Sequence, residues 1–379
     1  MNSQKKPDGK VHTSKNNSGN PTEGWPRWTI YVLGSLGLGA IGGLVFSWLT
    51  IPLPWMIGAM IFSTLAALTG LPVRGSNRLR SIVVPVLGIM LGSSFSPETI
   101  GQVSMWIPSI ILMLIFVAII IATVAIYLNK VMGFGPVTAY FSATPGGLAT
   151  MVVIGAEMGG DDRRIGLTHS IRIMLTVLTI PFYFRIFEGY MPGGLDSLGS
   201  VAELSLYDAA ILIACMLGFP IFKALRLPAA IMLGPMTFSV IAHISGLTDA
   251  KPPAEIVNIA QLVIGIGIGA RFVGVSVIRL YRVMLAGIGA TVLMVGLAAA
   301  AAWVLSAWTG LPFPAIWLAF APGGVAEMTL ISLALGIDVA FVSTHHMVRV
   351  VFMVLAAPLV FHLLERKFRL NENSSHHKI

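Results

Sequence analysis

A single cysteine, Cys215, stands among 379 residues. One thiol builds neither a disulfide framework nor a cysteine metal cluster, and in its apolar surroundings Cys215 reads as a small core side chain. Charge is scarce as well: Asp, Glu, Lys and Arg make up 11% of the chain, against about 25% in ordinary soluble domains. With 56% hydrophobic residues and a mean hydropathy of +0.85, this excludes a soluble globule and makes the chain an all-α polytopic membrane protein. There is no nucleophile elbow, no phosphate loop and no zinc-binding helix. Histidines and carboxylates do not cluster as oxygenase ligands would, since His169 lies far from His346, which has only His345 beside it. No enzyme is expected, and no metal or other cofactor. The net charge of +8 is spread over short loops and the two tails, which points to the lipid bilayer as partner rather than nucleic acid.

Glycine and proline are plentiful, at 40 and 22 residues, as in closely packed membrane helices. Gly39 and Gly43, Gly88 and Gly92, Gly155 and Gly159, and Gly265 and Gly269 share helix faces and predict close backbone approach. Apolar segments cover about 30–49, 53–70, 81–96, 105–129, 136–158 and 165–187, then about 208–222, 228–246, 257–272, 283–308, 313–336 and 339–363. The second series repeats the first. Pro52, Met56, Gly58, Met60, Phe62, Ser63, Gly70 and Leu71 return 176 residues later as Pro228, Met232, Gly234, Met236, Phe238, Ser239, Gly246 and Leu247. One residue is then inserted, and Gly88, Gly92 and Phe95 return 177 residues later as Gly265, Gly269 and Phe272. The expected layout is a disordered cytoplasmic tail over 1–24, a first membrane repeat over 25–190, an external linker over 191–207, a second repeat over 208–365, and a polar cytoplasmic tail over 366–379.

Within each repeat one apolar segment is interrupted. Thr144-Pro145-Gly146-Gly147-Leu148-Ala149-Thr150-Met151 recurs as Ala321-Pro322-Gly323-Gly324-Val325-Ala326-Glu327-Met328. Proline costs roughly 3 kcal/mol inside a helix and each glycine about 1. Backbone freed at membrane depth survives only where protein buries it or where it lines a wet cavity, so two matching breaks predict a cavity built from both. If the broken segments cross, each half has six spans and the same orientation; if they dip in and return, each has five and the second is inverted. Basic loops decide for the second route. It gathers Arg74, Arg78, Arg80, Lys130, Arg163, Arg164, Lys223, Arg226, Arg271, Arg279, Arg282, Arg366, Lys367 and Arg369 on the cytoplasmic side. Lys251 and the acidic Glu188, Asp196 and Glu203 are left outside. The expectation is about ten spans plus two re-entrant broken segments in two inverted halves.

Behind each break follow an acid, a histidine and an arginine: Asp161, His169 and Arg172, then Asp338, His346 and Arg349. Ionisable groups in apolar segments cost at least about 2.5 kcal/mol each on insertion scales, so they face the bundle interior. His and Arg three apart share one helix face. They read either as an anion clamp with a proton-linked histidine or as a brace, the arginine snorkelling or pairing with Asp161 or Asp338. Glu327 has Thr150 at the matching place, so the repeats differ in charge. A carboxylate at a helix start near mid-membrane suits proton or cation coupling; it equally suits a cap on exposed amides. Pro145, Gly146, Gly147 and Thr150, with Pro322, Gly323 and Gly324, complete the candidate binding set. Glu157 reads as a surface residue, and His376 and His377 lie in the polar tail.

Leu53-Pro54-Trp55-Met56-Ile57-Gly58-Ala59-Met60, the two Pro-Gly-Gly breaks and the Asp, His and Arg behind them resemble the AbrB-type bacterial inner-membrane family over about residues 30–365. The resemblance implies a multi-pass inner-membrane protein with an internal duplication. Members carry provisional labels as regulators of gene expression or as ammonia monooxygenases; a small soluble DNA-binding regulator shares the name but not the fold. The expected role is that of a secondary-transporter-like protein moving a small, anionic metabolite coupled to protons or cations. The alternative is a membrane sensor acting indirectly on gene expression, and a monooxygenase is the least expected. Homo-oligomerisation is left open.

Overall fold

The computed structural model describes residues 25–189, 198–227 and 229–375. The tail expected over 1–24, Asp196, Pro228, His376 and His377 lie outside the described residues. Among the described residues every regular element is helical: α1 (Trp25–Trp48), α2 (Pro54–Leu68), α3 (Asn77–Gly92), α4 (Pro97–Ile126, running into a π-turn at Tyr127–Val131), α5 (Pro136–Ala143), α6 (Leu148–Glu157) and α7 (Asp162–Phe187). Then come α8 (Leu206–Cys215), α9 (Gly218–Ala224), α10 (Ala230–Ile244), α11 (Ala254–Gly269), α12 (Val277–Thr309), α13 (Phe313–Phe320), α14 (Val325–Ala334) and α15 (Val339–Ser375). Seven helical stretches are long and apolar enough to cross a bilayer: Arg27–Trp48, Gly101–Val131, Asp162–Phe187, Leu206–Ala224, Ala254–Phe272, Tyr281–Thr309 and Val339–His362. The chain is therefore a helical membrane protein.

Four pairs of helices match in order and length. Helices α2 and α10 have 15 residues each, α3 and α11 have 16, α5 and α13 have 8, and α6 and α14 have 10. Backbone detail matches too. Among the described residues, the non-glycine residues with positive φ are Thr50 and Leu53 before α2, and Arg226 and Ala229 before α10, a left-handed conformation that side chains rarely adopt. Two differences from the sequence reading stand out. The stretch 208–222 is two helices, because Pro220 has no N–H for the Met216 carbonyl and α8 ends at Cys215. Helix α15 runs to Ser375, through most of the segment read as a polar tail.

Glycine sets the crossings. Gly88 and Gly92 on α3 lie against the backbone of Met232 and Met236 on α10, and Gly265 and Gly269 on α11 lie against α2 at Met56, Met60 and Ser63. A β-carbon at any of these would strike backbone or Ser side-chain atoms. So α2 packs on α11 and α3 on α10, which interleaves the two series. The main core spans both, from Leu53, Met56 and Leu91 to Ile316, Phe320 and Leu330.

The two interrupted segments fold back on themselves. The Asp161 N–H, just before α7, donates to Thr138 Oγ1 at the start of α5 (3.0 Å), and Arg164 lies over the Phe134 ring at 5.4 Å. Helix α6 therefore returns to the end that α5 left. On the second segment α13 runs alongside α15, Leu318 meeting His346 and Ala321 meeting Arg349. From Val339 to Arg349 is about 15 Å at 1.5 Å per residue, which is the distance the 10-residue α14 must run back. Each hairpin is thus about 15 Å deep, half the thickness of a typical hydrocarbon layer.

Loops sort to two ends. At one, Arg163 Nη2 donates to the Gly274 carbonyl (3.4 Å) and Gly75 lies against Gly267; Arg74, Arg78, Arg80, Arg163, Arg164 and Arg271 gather there. At the other, Arg185 holds Thr50, the Ala254 N–H donates to the Gly199 carbonyl (3.1 Å), and the Thr248 hydroxyl donates to Asp208 (2.6 Å).

Candidate functional site

Proline determines what the hairpin tips need. In α5 the Phe141 carbonyl would accept from residue 145, but Pro145 has no N–H; in α13 the Leu318 carbonyl faces the same lack at Pro322. A histidine fills each gap. His169 Nε2 lies 2.9 Å from the Phe141 oxygen and His346 Nε2 lies 2.8 Å from the Leu318 oxygen. A carbonyl only accepts, so Nε2 carries the proton in both rings. The arginine one turn on reaches a second carbonyl at each tip: Arg172 Nη1 donates to Thr144 O at 3.5 Å, which also accepts from the Gly146 N–H at 2.9 Å, and Arg349 Nη1 donates to Ala321 O at 2.6 Å.

Beyond that shared plan the tips differ. Arg349 Nη2 also donates to Gly323 O (2.7 Å) and to His346 Nδ1 (2.8 Å). Among the described residues Arg172 makes no second hydrogen bond, and His169 Nδ1 is buried without a partner, as are the nearby hydroxyls of Ser142 and Thr168; the Nε of each arginine is buried and unpartnered at both tips. Both arginines are almost fully buried, at 4% and 1% exposure. Their charges act on one another, and among the described residues neither has a carboxylate partner. The two guanidiniums thus lie within electrostatic reach of one another at the hairpin tips.

Beside them opens a cavity of about 250 Å³. Its walls are the start of α3 (Gly75, Ser76, Asn77 and Arg80), the end of α11 with the turn after it (Val263, Ile264, Gly267, Ile268, Ala270 and Arg271), and Glu327 at the start of α14. The cavity therefore runs from the arginine-rich end to the tip of the second hairpin. Arg271 feels the charges of Arg80 and Glu327, and its own charge reaches His169. Arg271 Nη1 is buried and unpartnered. The half-buried carboxylate of Glu327 lies folded over Gly324, where a β-carbon would collide with Oε2.

Of the sequence candidates, Pro145, Gly146, Pro322 and Gly323 form the buried tips, Gly147 and Gly324 precede α6 and α14, and Thr150 is in the first turn of α6. Asp161 and Asp338 do not meet Arg172 or Arg349. Asp161 caps α7 through the Arg164 N–H (2.9 Å) and pairs with the Arg164 side chain (3.1 Å); Asp338 accepts from the Phe341 N–H at the start of α15 (3.0 Å). Glu157 is exposed. Both ring nitrogens of His345 are taken, by Ser109 Oγ and the Phe341 carbonyl, each at 2.8 Å. Among the described residues no three His, Cys, Asp or Glu side chains gather as metal ligands would. Sequence reasoning missed Arg80 as a site residue, reading it only as a loop charge, and gave Arg271 no firm role. The signal was their company: Gly75 and Gly267 leave the space their side chains line.

A family model described as "Transition state regulatory protein AbrB" matches residues 55–365. The chain is similar to "Uncharacterized protein YhjN" of Bacillus subtilis (strain 168), 26% identical over 353 residues that cover 87% of this chain and 92% of that protein. It is also similar to "Putative regulator AbrB" of Escherichia coli (strain K12), 20% identical over 319 residues that cover 82% and 89%.

Proposed function

The chain belongs to the AbrB family, and from that footing we propose that it is a secondary-transporter-like membrane protein moving a small anionic metabolite coupled to protons. The proposal includes two duplicated, inverted halves with ten spans and two re-entrant hairpins. Equal helix lengths, the paired left-handed residues and hairpins of one geometry support it. It also puts the arginine-rich end and both termini in the cytoplasm of a bacterial cell, by the excess of basic residues there.

The observation that carries the reading is the cavity joining one end of the bundle to a hairpin tip, with Arg80 and Arg271 on its walls and Glu327 at its floor. Broken helices that line a wet cavity at mid-depth are the usual site of substrate and coupling ion in carriers. Arginine favours carboxylate-like anions through its paired donors. His169 and His346 hold the tips in shape, Arg172 and Arg349 supply fixed positive charge, and Glu327 is the group that takes up and releases a proton. Carriage, not catalysis, is the proposed role.

The name of the Escherichia coli relative, "Putative regulator AbrB", favours a second reading: a sensor that binds a metabolite in the same cavity and acts on transcription through other proteins. Reconstituted protein in liposomes separates the two. With radiolabelled organic acids and an imposed pH gradient, a carrier accumulates label above the level of protein-free liposomes. A sensor binds label without accumulation, and that result would remove the transport reading.

A further inference from the structure

We infer that Glu327 is a tethered counter-anion: ionised, it neutralises the arginines of the cavity, and a substrate carboxylate replaces it when it protonates, so that anion and proton bind together. The inference rests on the carrier reading and specifies its substrate class and its coupling.

Three observations point this way. First, the walls of the cavity carry two guanidiniums and one carboxylate, and Arg271 feels both Arg80 and Glu327. Yet Arg271 Nη1 is buried with no partner, so the pair is in electrical reach without being bonded. Second, the carboxylate is folded back over Gly324 at the amino end of α14, where the helix favours negative charge. A second anion there would be repelled by the first. Third, apart from Glu327, the ionisable residues that the neighbouring elements carry at the cavity and near the hairpin tips are basic or neutral. Helix α3 brings Arg80, the turn after α11 brings Arg271, α7 brings His169 and Arg172, α15 brings His345, His346 and Arg349, and α13 brings no ionisable residue. Asp161, Asp162 and Asp338 stand at the starts of α7 and α15, and Glu365 and Glu372 follow in the last part of α15, beyond its apolar stretch Val339–His362.

The balance is simple. Bound anion plus ionised Glu327 would put two negative groups against Arg271. Adding one proton to the Glu327 carboxylate leaves one negative group, and the net charge of the site is unchanged by a monoanion entering with its proton. Size follows from the space: 250 Å³ holds about eight waters at 30 Å³ each, or a molecule of roughly ten non-hydrogen atoms. Val263, Ile264 and Ile268 on the walls suit a carbon skeleton, so the fitting class is a short organic acid rather than inorganic phosphate.

The test titrates purified full-length protein, in weakly buffered detergent at neutral pH, with butyrate, succinate and inorganic phosphate. Calorimetry follows binding and a pH indicator follows proton uptake. The expected result is that a carboxylate binds with close to one proton taken up per anion. The Glu327→Gln variant should bind the same anion at least as tightly with no proton uptake, and Arg271→Gln should weaken binding about tenfold or more. Wild-type binding without proton uptake overturns the inference, as does equal uptake by Glu327→Gln, binding of phosphate alone, or binding of none of the three. Because the wild-type measurement decides by itself, a variant that fails to fold does not shield the idea. Proton-linked binding with no flux into liposomes would keep this inference and remove carriage. Gradient-driven flux that survives Glu327→Gln would keep carriage and remove this inference.

Discussion

At the tip of the first hairpin Arg172 reaches one carbonyl at 3.5 Å, whereas at the tip of the second Arg349 holds two carbonyls and a histidine at 2.6 to 2.8 Å. The positions correspond and the spacing to the broken helix is identical, yet one arginine is consumed by the fold and the other is nearly free. The same contrast runs through the surroundings. Arg80, Arg271 and Glu327 line the open cavity, and at the matching places the other series has Val257, Ser94 and Thr150, with Val257 fully buried. Two hairpins of one geometry thus differ in a few side chains: the second bonds its arginine closely and borders the cavity through Glu327, and the first leaves its arginine one long hydrogen bond.

Arginine removal should sharpen that contrast most. Arg349→Ala leaves two carbonyls and the His346 Nδ1 without partners, at about 1 kcal/mol or more each, so it is expected to lower stability by roughly 3 kcal/mol. Arg172→Ala gives up one long hydrogen bond and should lose about 1 kcal/mol or less while weakening anion binding. Thermal melting of the purified variants beside ligand titrations reads both, and equal melting losses would break the comparison. Next in size, His346→Ala should destabilise more than His169→Ala. Each orphans one proline-vacated carbonyl, but only His346 also receives a hydrogen bond from its arginine. Glu327→Thr, which gives the second tip the residue of the first, should leave melting nearly unchanged and abolish proton uptake with the anion. The smallest effect is expected of alanine before the returning helices. At Gly147 the nearest atom to a β-carbon is Thr150 Oγ1 at 3.5 Å, an ordinary contact, so Gly147→Ala should be nearly silent. Gly324→Ala must displace the Glu327 carboxylate and should shift the pH at which anion binding is half-maximal; identical profiles for both variants would count against the resting place assigned to Glu327.

Much of this was legible in the residues, because a proline and two glycines inside an apolar segment force a break wherever they occur. Pro145 and Pro322 announced the hairpins, and the spacing to His169 and His346 put a donor on the next helix. What the chain did not disclose was the purpose of that donor. Only the fold brings Nε2 to the carbonyl that proline leaves open, 28 residues upstream of the histidine that serves it. The carboxylates misled for a local reason: Asp161 and Asp338 sit one residue before a helix, where capping competes with any longer reach. Arg80 stayed hidden and Arg271 without a firm role because charge counting sees a loop cation only as a topology marker, and the cavity that makes them a pair is formed by helices from different series.

The central claim is that the cavity exchanges the charge of Glu327 for that of an incoming anion. It is tested most directly by loading liposomes containing the wild-type protein or Glu327→Gln with an unlabelled organic acid shown to bind, then imposing a pH gradient and following the labelled acid. The expected result is gradient-driven accumulation by the wild type, and exchange without accumulation by Glu327→Gln. Equal accumulation by the two proteins would contradict the account.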